Sequence, residues 1–248
     1  MYRLAFVFVY ALSAVTSAAT PDYPREQRLA TDVVSQIVSG ETVWLSPPDR
    51  PRVLAIYSVL QGTSKGAVIL IHGLGVNPDS APIGALRTKL ADRGYATLAV
   101  QMPVLAEDAL PESYRDLLGD AGDRIAIAIA WLHAKGFTKF AIVSHSFGAT
   151  MTDAYLARRD VVAPTAWIPV GMLVDFTALP RAPVLDVVAE RDLPRVLAAS
   201  KLRMPHLPHD GCSKPLSISD TNHLMNGATT PLADAIAAFV DRVFTGSC

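Results

Sequence analysis

Charge of one sign is scarce in this chain of 248 residues: 22 Lys and Arg stand against 23 Asp and Glu, with no long run of either sign. That excludes the basic stripe that would grip nucleic acid or an anionic membrane. Internal repeats, low-complexity tracts and a second-domain linker are also absent. Nothing therefore divides the chain beyond its first residues, and a length near 229 suits one α/β domain with a sizeable core. The glycine-rich stretch His72-Gly73-Leu74-Gly75 lacks a following Gly-Lys-Ser/Thr, so it is not a phosphate-cradling loop. Cysteine is down to two residues, Cys212 and Cys248. Neither lies close enough to the start to carry a lipid anchor. In an oxidising compartment such a pair is expected to form a disulfide, tying the last residue to the loop before the final strand; two free thiols are the alternative.

A run long enough to cross a membrane is missing as well. The stretch Leu4 to Val15 is apolar but short of the roughly 20 residues a span needs, and no charged stop follows it. With Arg3 before it and Ser17-Ala18-Ala19 after it, residues 1–19 read as a secretory signal peptide cleaved after Ala19 or Ala18. Residues 20–248 are then exported, to a periplasm or the exterior, with no stable membrane insertion afterwards. Without Arg3 the chain carries 21 basic and 23 acidic residues.

What is present is an alternation of short apolar runs with helical stretches, which predicts a mostly parallel sheet with helices on both faces. Thr42–Leu45 and Val53–Val59, split by Pro47-Pro48-Asp49-Arg50-Pro51, predict an antiparallel hairpin at the sheet edge. Ala67–Ile71, Ala96–Val100 and Phe140–Val143 are continuous apolar runs, as strands buried on both faces require. Residues 165–170, 184–189 and 216–218 read as the later strands. Residues 83–93, 120–135 and 231–244 read as helices, the first two ended by Gly94 and Gly136. A polar loop with Pro103 and Pro111 is expected between residues 101 and 119.

One segment carries chemistry. Ser144-His145-Ser146-Phe147-Gly148 sits between the strand Phe140–Val143 and a helix from Ala149 to Leu156. Strand, small-x-Ser-x-small, helix is the pattern of a nucleophile elbow, in which a tight turn thrusts the serine outward. Glycine usually holds the first position. Ser144 is small enough to be tolerated, because the constraint is steric.

A serine nucleophile needs a base, and the base needs an orienting acid, which in this architecture follow in the order Ser, acid, His. Asp192 lies just past the strand 184–189 and His223 just past the strand 216–218, both at carboxyl edges, where sites form in open α/β sheets. Ser146 is thus the expected nucleophile, His223 the base and then acid, and Asp192 its orienter. Glu190 competes with Asp192, Asp186 reads as a buried structural residue within its strand, and Asp220 as a loop cap. The segment Ile71-His72-Gly73-Leu74-Gly75 lies where a second donor loop belongs, so the backbone N–H groups of Leu74 and Phe147 are the expected oxyanion hole. His72 is expected to brace that loop. His133 reads as a helix-surface residue and His145 as the elbow's variable position. His206 and His209, separated by Pro208 and without further ligands, read as loop residues, with no metal and no cofactor expected.

On these motifs the chain resembles the α/β-hydrolase superfamily over nearly all of residues 20–248. A closer resemblance is to a little-characterised bacterial family of α/β-hydrolase-like proteins of unknown function. It rests on Ala67–Pro78, Gly94–Pro103, the elbow, Pro183-Val184-Leu185-Asp186 and Asn222-His223. The superfamily resemblance implies the fold and the triad. The closer one implies no substrate.

Many such folds carry a helical cap after the strand that follows the elbow. Here residues 171–182 leave room for a loop and at most one helical turn, so no large cap domain and a fairly open site are expected. Leu74, Phe147, Met172, Leu173 and the Val104–Leu110 loop are the candidate substrate-binding walls, with ordinary core residues as the equal alternative, and no charged side chain can be assigned to the site. The function so read is an exported carboxylesterase or lipase-like serine hydrolase, acting on a small-molecule or lipid-like ester through an acyl-enzyme. An amide, peptide or polyester hydrolase on the same triad, or a non-catalytic binding or envelope module, are the alternatives. The oligomeric state is not legible.

Overall fold

The computed structural model describes residues 20–60, 62 and 64–248. The expected leader, residues 1–19, lies outside the described residues. Eight strands form one sheet: β1 (Glu41–Leu45), β2 (Val53–Ser58), β3 (Ala67–Ile71), β4 (Ala96–Val100), β5 (Phe140–His145), β6 (Ala166–Val170), β7 (Leu185–Arg191) and β8 (Lys214–Asn222). Their spatial order is β1-β2-β4-β3-β5-β6-β7-β8. β1 and β2 pair antiparallel, as the hairpin pattern predicts, and every pairing from β4 through β8 is parallel.

Burial follows composition. The apolar strands β3, β4 and β5 are buried along their whole lengths, whereas β1 and β8, with polar residues at alternate positions, form the partly exposed edges. Two cores lie on opposite faces of the sheet. One packs α2 (Ile83–Ala91) and α6 (Thr229–Thr245) through Leu86, Leu90, Leu232 and Ile236. The other packs α3 (Leu118–Ala134) and α4 (Phe147–Leu156) through Ile125, Ile129, Leu132 and Met151. The fold is thus a mostly parallel sheet with helices on both faces, and no helix lies between β6 and β7. Among the described residues no helix is long and apolar enough to cross a membrane.

Two helices depart from the sequence reading. α1 (Tyr23–Gln36) packs Ala30 and Val33 on Leu54 and Ile56, and its N-terminus is capped by the Asp22 carboxylate accepting from the Arg25 N–H at 2.9 Å. α5 (Pro194–Arg203) follows β7 and buries Val196, Ala199 and Arg203. The expected polar loop contains a 3₁₀ segment, Pro111–Leu117, leading into α3. Cys212 and Cys248 are joined, with Cα atoms 4.9 Å apart, so the last residue is tied to the loop before β8.

Candidate active site

β5 runs into α4 through a single residue. Ser146 sits between them at φ 56° and ψ −124°, a conformation that L-residues adopt at a cost of about 1–3 kcal/mol and that lifts the side chain clear of the strand. Its N–H donates to the Val170 carbonyl at 2.8 Å, fastening the turn to β6. Gly148 is required by contact: a Cβ there would lie 2.3 Å from the His72 carbonyl oxygen. Ser144 is accommodated because its buried hydroxyl accepts the Trp167 indole N–H at 3.0 Å. That partner makes the hydroxyl useful where glycine is usual.

The parallel strands then bring two distant residues to Ser146. His223 Nε2 lies 2.8 Å from Ser146 Oγ, and His223 Nδ1 lies 2.6 Å from Asp192 Oδ1. With Nδ1 facing the carboxylate, that nitrogen is the donor and Nε2 accepts the serine O–H. Asp192 stands immediately after β7, where it also accepts the N–H groups of Ala189 at 3.0 Å and Leu193 at 2.8 Å. Burial alone would raise its pKa. The hydrogen bonds from His223, Ala189 and Leu193 outweigh burial and hold the carboxyl below its ordinary value. Gly171, just after β6 at φ +64°, leaves the space the imidazole occupies: a Cβ there would meet His223 Cε1 at 2.9 Å.

The competing acids are engaged elsewhere. Glu190 accepts the Asp220 N–H at 2.8 Å, and Asp220 faces solvent. Asp186 is fully buried and binds both sides of the Arg203 guanidinium, at 2.9 and 3.1 Å. Arg203 also donates to the carbonyls of Met172 and Val174, so this pair fixes the loop after β6.

Two further histidines clamp the site as neutral rings. His72 Nε2 accepts the Met102 N–H at 2.8 Å while Nδ1 faces the Gly73 carbonyl at 2.8 Å, which makes Nδ1 the donor. It braces its loop as expected. His145, read from sequence only as a variable position, is buried and donates from Nε2 to the His223 carbonyl at 2.8 Å. Burial lowers both pKa values to about 4. His133 is exposed on α3. His206 ends a short 3₁₀ turn beside Asp175, and among the described residues no group of three or more His, Cys, Asp or Glu could hold a metal ion.

The loop Gly73–Gly75 lies against the serine: a Cβ on Gly73 would be 3.2 Å from Ser146 Cβ. The N–H groups of Leu74 and Phe147 have no acceptor among the described residues, the latter because it opens α4. This loop is held by α1. Arg25 donates to the Gly75 carbonyl at 3.1 Å and to the Leu105 carbonyl at 2.5 Å. α1 is itself anchored by Glu26, which pairs with buried Arg124 through two bonds of 3.0 Å and accepts the Val104 N–H at 3.1 Å. Arg124 completes the cluster on Asp120 at 2.7 Å. Burial raises the Glu26 pKa against the pull of Arg124.

A cleft of about 250 Å³ opens beside Ser146, with Leu74, Phe147 and Leu173 among its walls as expected. Two expectations are corrected here. Met172 is fully buried in the core, turned inward while Arg203 grips its carbonyl, and does not line the cleft. Val104 is likewise buried, and the wall on that side comes from Pro111, Glu112 and Arg115 of the 3₁₀ segment. Charged side chains also reach the cleft: Glu112, Arg115 and, from the first turn of α5, Arg195. Linear sequence could not show that convergence.

Known proteins resemble this fold. A family described as a protein of unknown function, DUF3530, matches residues 13–120, a stretch that contains the Gly73–Gly75 loop but none of Ser146, Asp192 and His223. No match to a curated protein sequence was found. Among solved structures, dienelactone hydrolase from Anabaena variabilis is similar at 21% identity and a TM-score of 0.65, covering 82% of this chain and 97% of its own. An α/β serine hydrolase without a lid from Xanthomonas campestris is similar at 15% identity and 0.64, covering 83% and 95%. An esterase from Pyrobaculum calidifontis is similar at 15% identity and 0.64, covering 93% and 95%. The chain has the α/β-hydrolase fold, and the resemblance read from its motifs holds at that level.

Proposed function

We propose that this chain is an exported serine hydrolase of the carboxylesterase type, with Ser146 as nucleophile, His223 as general base and acid, and Asp192 as orienter. The observation that carries the reading is the continuous relay from Ser146 Oγ through His223 to Asp192, at 2.8 and 2.6 Å, on a strained elbow. His223 Nε2 takes the serine proton as Oγ bonds to the ester carbonyl carbon, whose π electrons move to oxygen. The resulting oxyanion is met by the amides of Leu74 and Phe147, each donor lowering the barrier by roughly 3–4 kcal/mol. Collapse expels the alcohol, which leaves with the proton from His223. Water then repeats the sequence on the acyl-enzyme and releases the acid and Ser146. Asp192, kept ionised, stabilises the imidazolium formed in each half.

The leader-like residues 1–19 and the Cys212–Cys248 bridge favour export, since such bridges persist in oxidising compartments. The absence of a helix between β6 and β7 favours a site without a cap. Labelling of the chain with a fluorophosphonate, followed by peptide mass spectrometry, tests the assignment. The expected adduct is on Ser146, lost in Ser146→Ala and reduced by at least about 10³-fold in rate in His223→Ala. An unlabelled native protein, or one labelled elsewhere, overturns it.

A further inference from the structure

We propose, building on the serine-hydrolase reading, that the substrate is an ester carrying a carboxylate, seated between Arg115 and Arg195. These two residues come from different elements, the 3₁₀ segment Pro111–Leu117 and the start of α5, yet line one cleft with Ser146. Arg25, Arg124 and Arg203 are engaged in fixing the scaffold. By contrast, neither Arg115 nor Arg195 makes an ion pair or donates a hydrogen bond among the described residues. Two guanidinium forks are thus left without a partner at the mouth of the site. Glu112, one turn before Arg115, also lines the cleft and offsets one of the two charges. The remaining balance is one positive charge.

The other walls, including Leu74, Phe147, Leu173 and Val174, are apolar. Arg115 and Arg195 are themselves exposed at the rim, so their pull on an anion is strongest at low salt. A planar guanidinium pairs a carboxylate through two parallel N–H bonds, so position as well as charge is selected. The scissile carbonyl would lie at Ser146 and the carboxylate several atoms away, toward the rim. A cationic ester is disfavoured by the same balance, and an uncharged one gains only the apolar walls.

The test compares binding of three 4-nitrophenyl esters of similar length to the Ser146→Ala variant by calorimetry: the mono-ester of adipic acid, the heptanoate and the 6-aminohexanoate. The adipate mono-ester is expected to bind at least about tenfold more tightly than the heptanoate, and the aminohexanoate most weakly. In the Arg115→Gln/Arg195→Gln background the adipate advantage falls to about twofold or less. In Glu112→Gln it rises, a gain that a misfolded variant cannot give. Raising the salt concentration shrinks it. Equal affinity for adipate and heptanoate esters, tighter binding of the cationic ester, or an advantage that survives loss of both arginines would each overturn the proposal. Turnover of the same esters by the native chain reads the parent assignment separately: loss of turnover with the binding preference intact would overturn the hydrolase and keep the anion seat.

Discussion

On the side of the cleft that holds Ser146, His223 and Asp192, each residue stands immediately after a strand, β5, β8 or β7. Asp192 is held by amides one and three residues away, Ser146 by the Val170 carbonyl at the end of β6, and His223 by the ring of His145, 78 positions away. On the side that holds the Gly73–Gly75 loop, the short brace from His72 to the Gly73 carbonyl is joined by long reaches from α1. Arg25 reaches the Gly75 carbonyl across 50 positions and the Leu105 carbonyl across 80, and Glu26 reaches Arg124 across 98. The proposed reacting groups are therefore placed by local strand-end geometry. The surface they work against is built by a helix at the far edge of the chain. Each side nonetheless uses the same two parts: one neutral buried histidine, His72 or His145, and one buried arginine, Arg124 or Arg203.

The largest blow to the local side is expected from Gly171→Ala. Its Cβ would lie 2.9 Å from the His223 ring at a φ of +64°, so the imidazole must move. A loss of about 10³-fold in the fluorophosphonate labelling rate is expected, roughly 4 kcal/mol, with the thermal transition still cooperative. Labelling within threefold of the native rate would show that His223 is not confined there.

The paired histidines come next, and acid strikes both sides alike. Their native pKa values of about 4 lie below the ordinary 6.5, so the unfolded chain takes up these protons first. Stability is therefore complete above about pH 6.5 and is lost as pH falls toward 4, by at most about 3 kcal/mol for each ring. Asp192 adds a second loss at lower pH, as its depressed carboxyl protonates. Urea unfolding followed from pH 7.5 to 4 should show the slope, and His145→Gln should remove part of it. A flat profile would mean that neither ring is held neutral.

A smaller effect separates the sides. Arg25→Ala frees the Gly73–Gly75 loop without touching His223, so kcat on a simple ester should fall about 10- to 100-fold with KM changed little. Arg25→Lys should restore part of it, and labelling of Ser146 should slow by a similar factor. A change confined to the melting temperature would make α1 a structural prop and no more.

How much of this could be read from the chain follows the same division. The three residues proposed as a triad could be picked out because each stands just past a strand, where a pattern of a few residues suffices. The hairpin, the buried strands and the cap-free connection after β6 were legible for that reason. α1 was not, since its inward stripe is only Ala30, Val33 and, just past its end, Ile37, with the carboxylate of Glu26 buried beside them. α5 hides similarly behind Arg203, a cation that reads as surface until Asp186 is seen opposite it. The charged rim at Arg115 and Arg195 depends on two segments 80 positions apart meeting in space, which no local pattern records.

The backbone of Ser146 has one more consequence. Its positive φ is a conformation glycine adopts freely and serine does not. Ser146→Gly should therefore unfold at a higher denaturant concentration than Ser146→Ala, by about 1 kcal/mol, although both lack the hydroxyl. In evolutionary terms the slope at this position runs away from chemistry: a single step that silences the site also relaxes the molecule, and only selection for what the hydroxyl does can hold the serine in place against it.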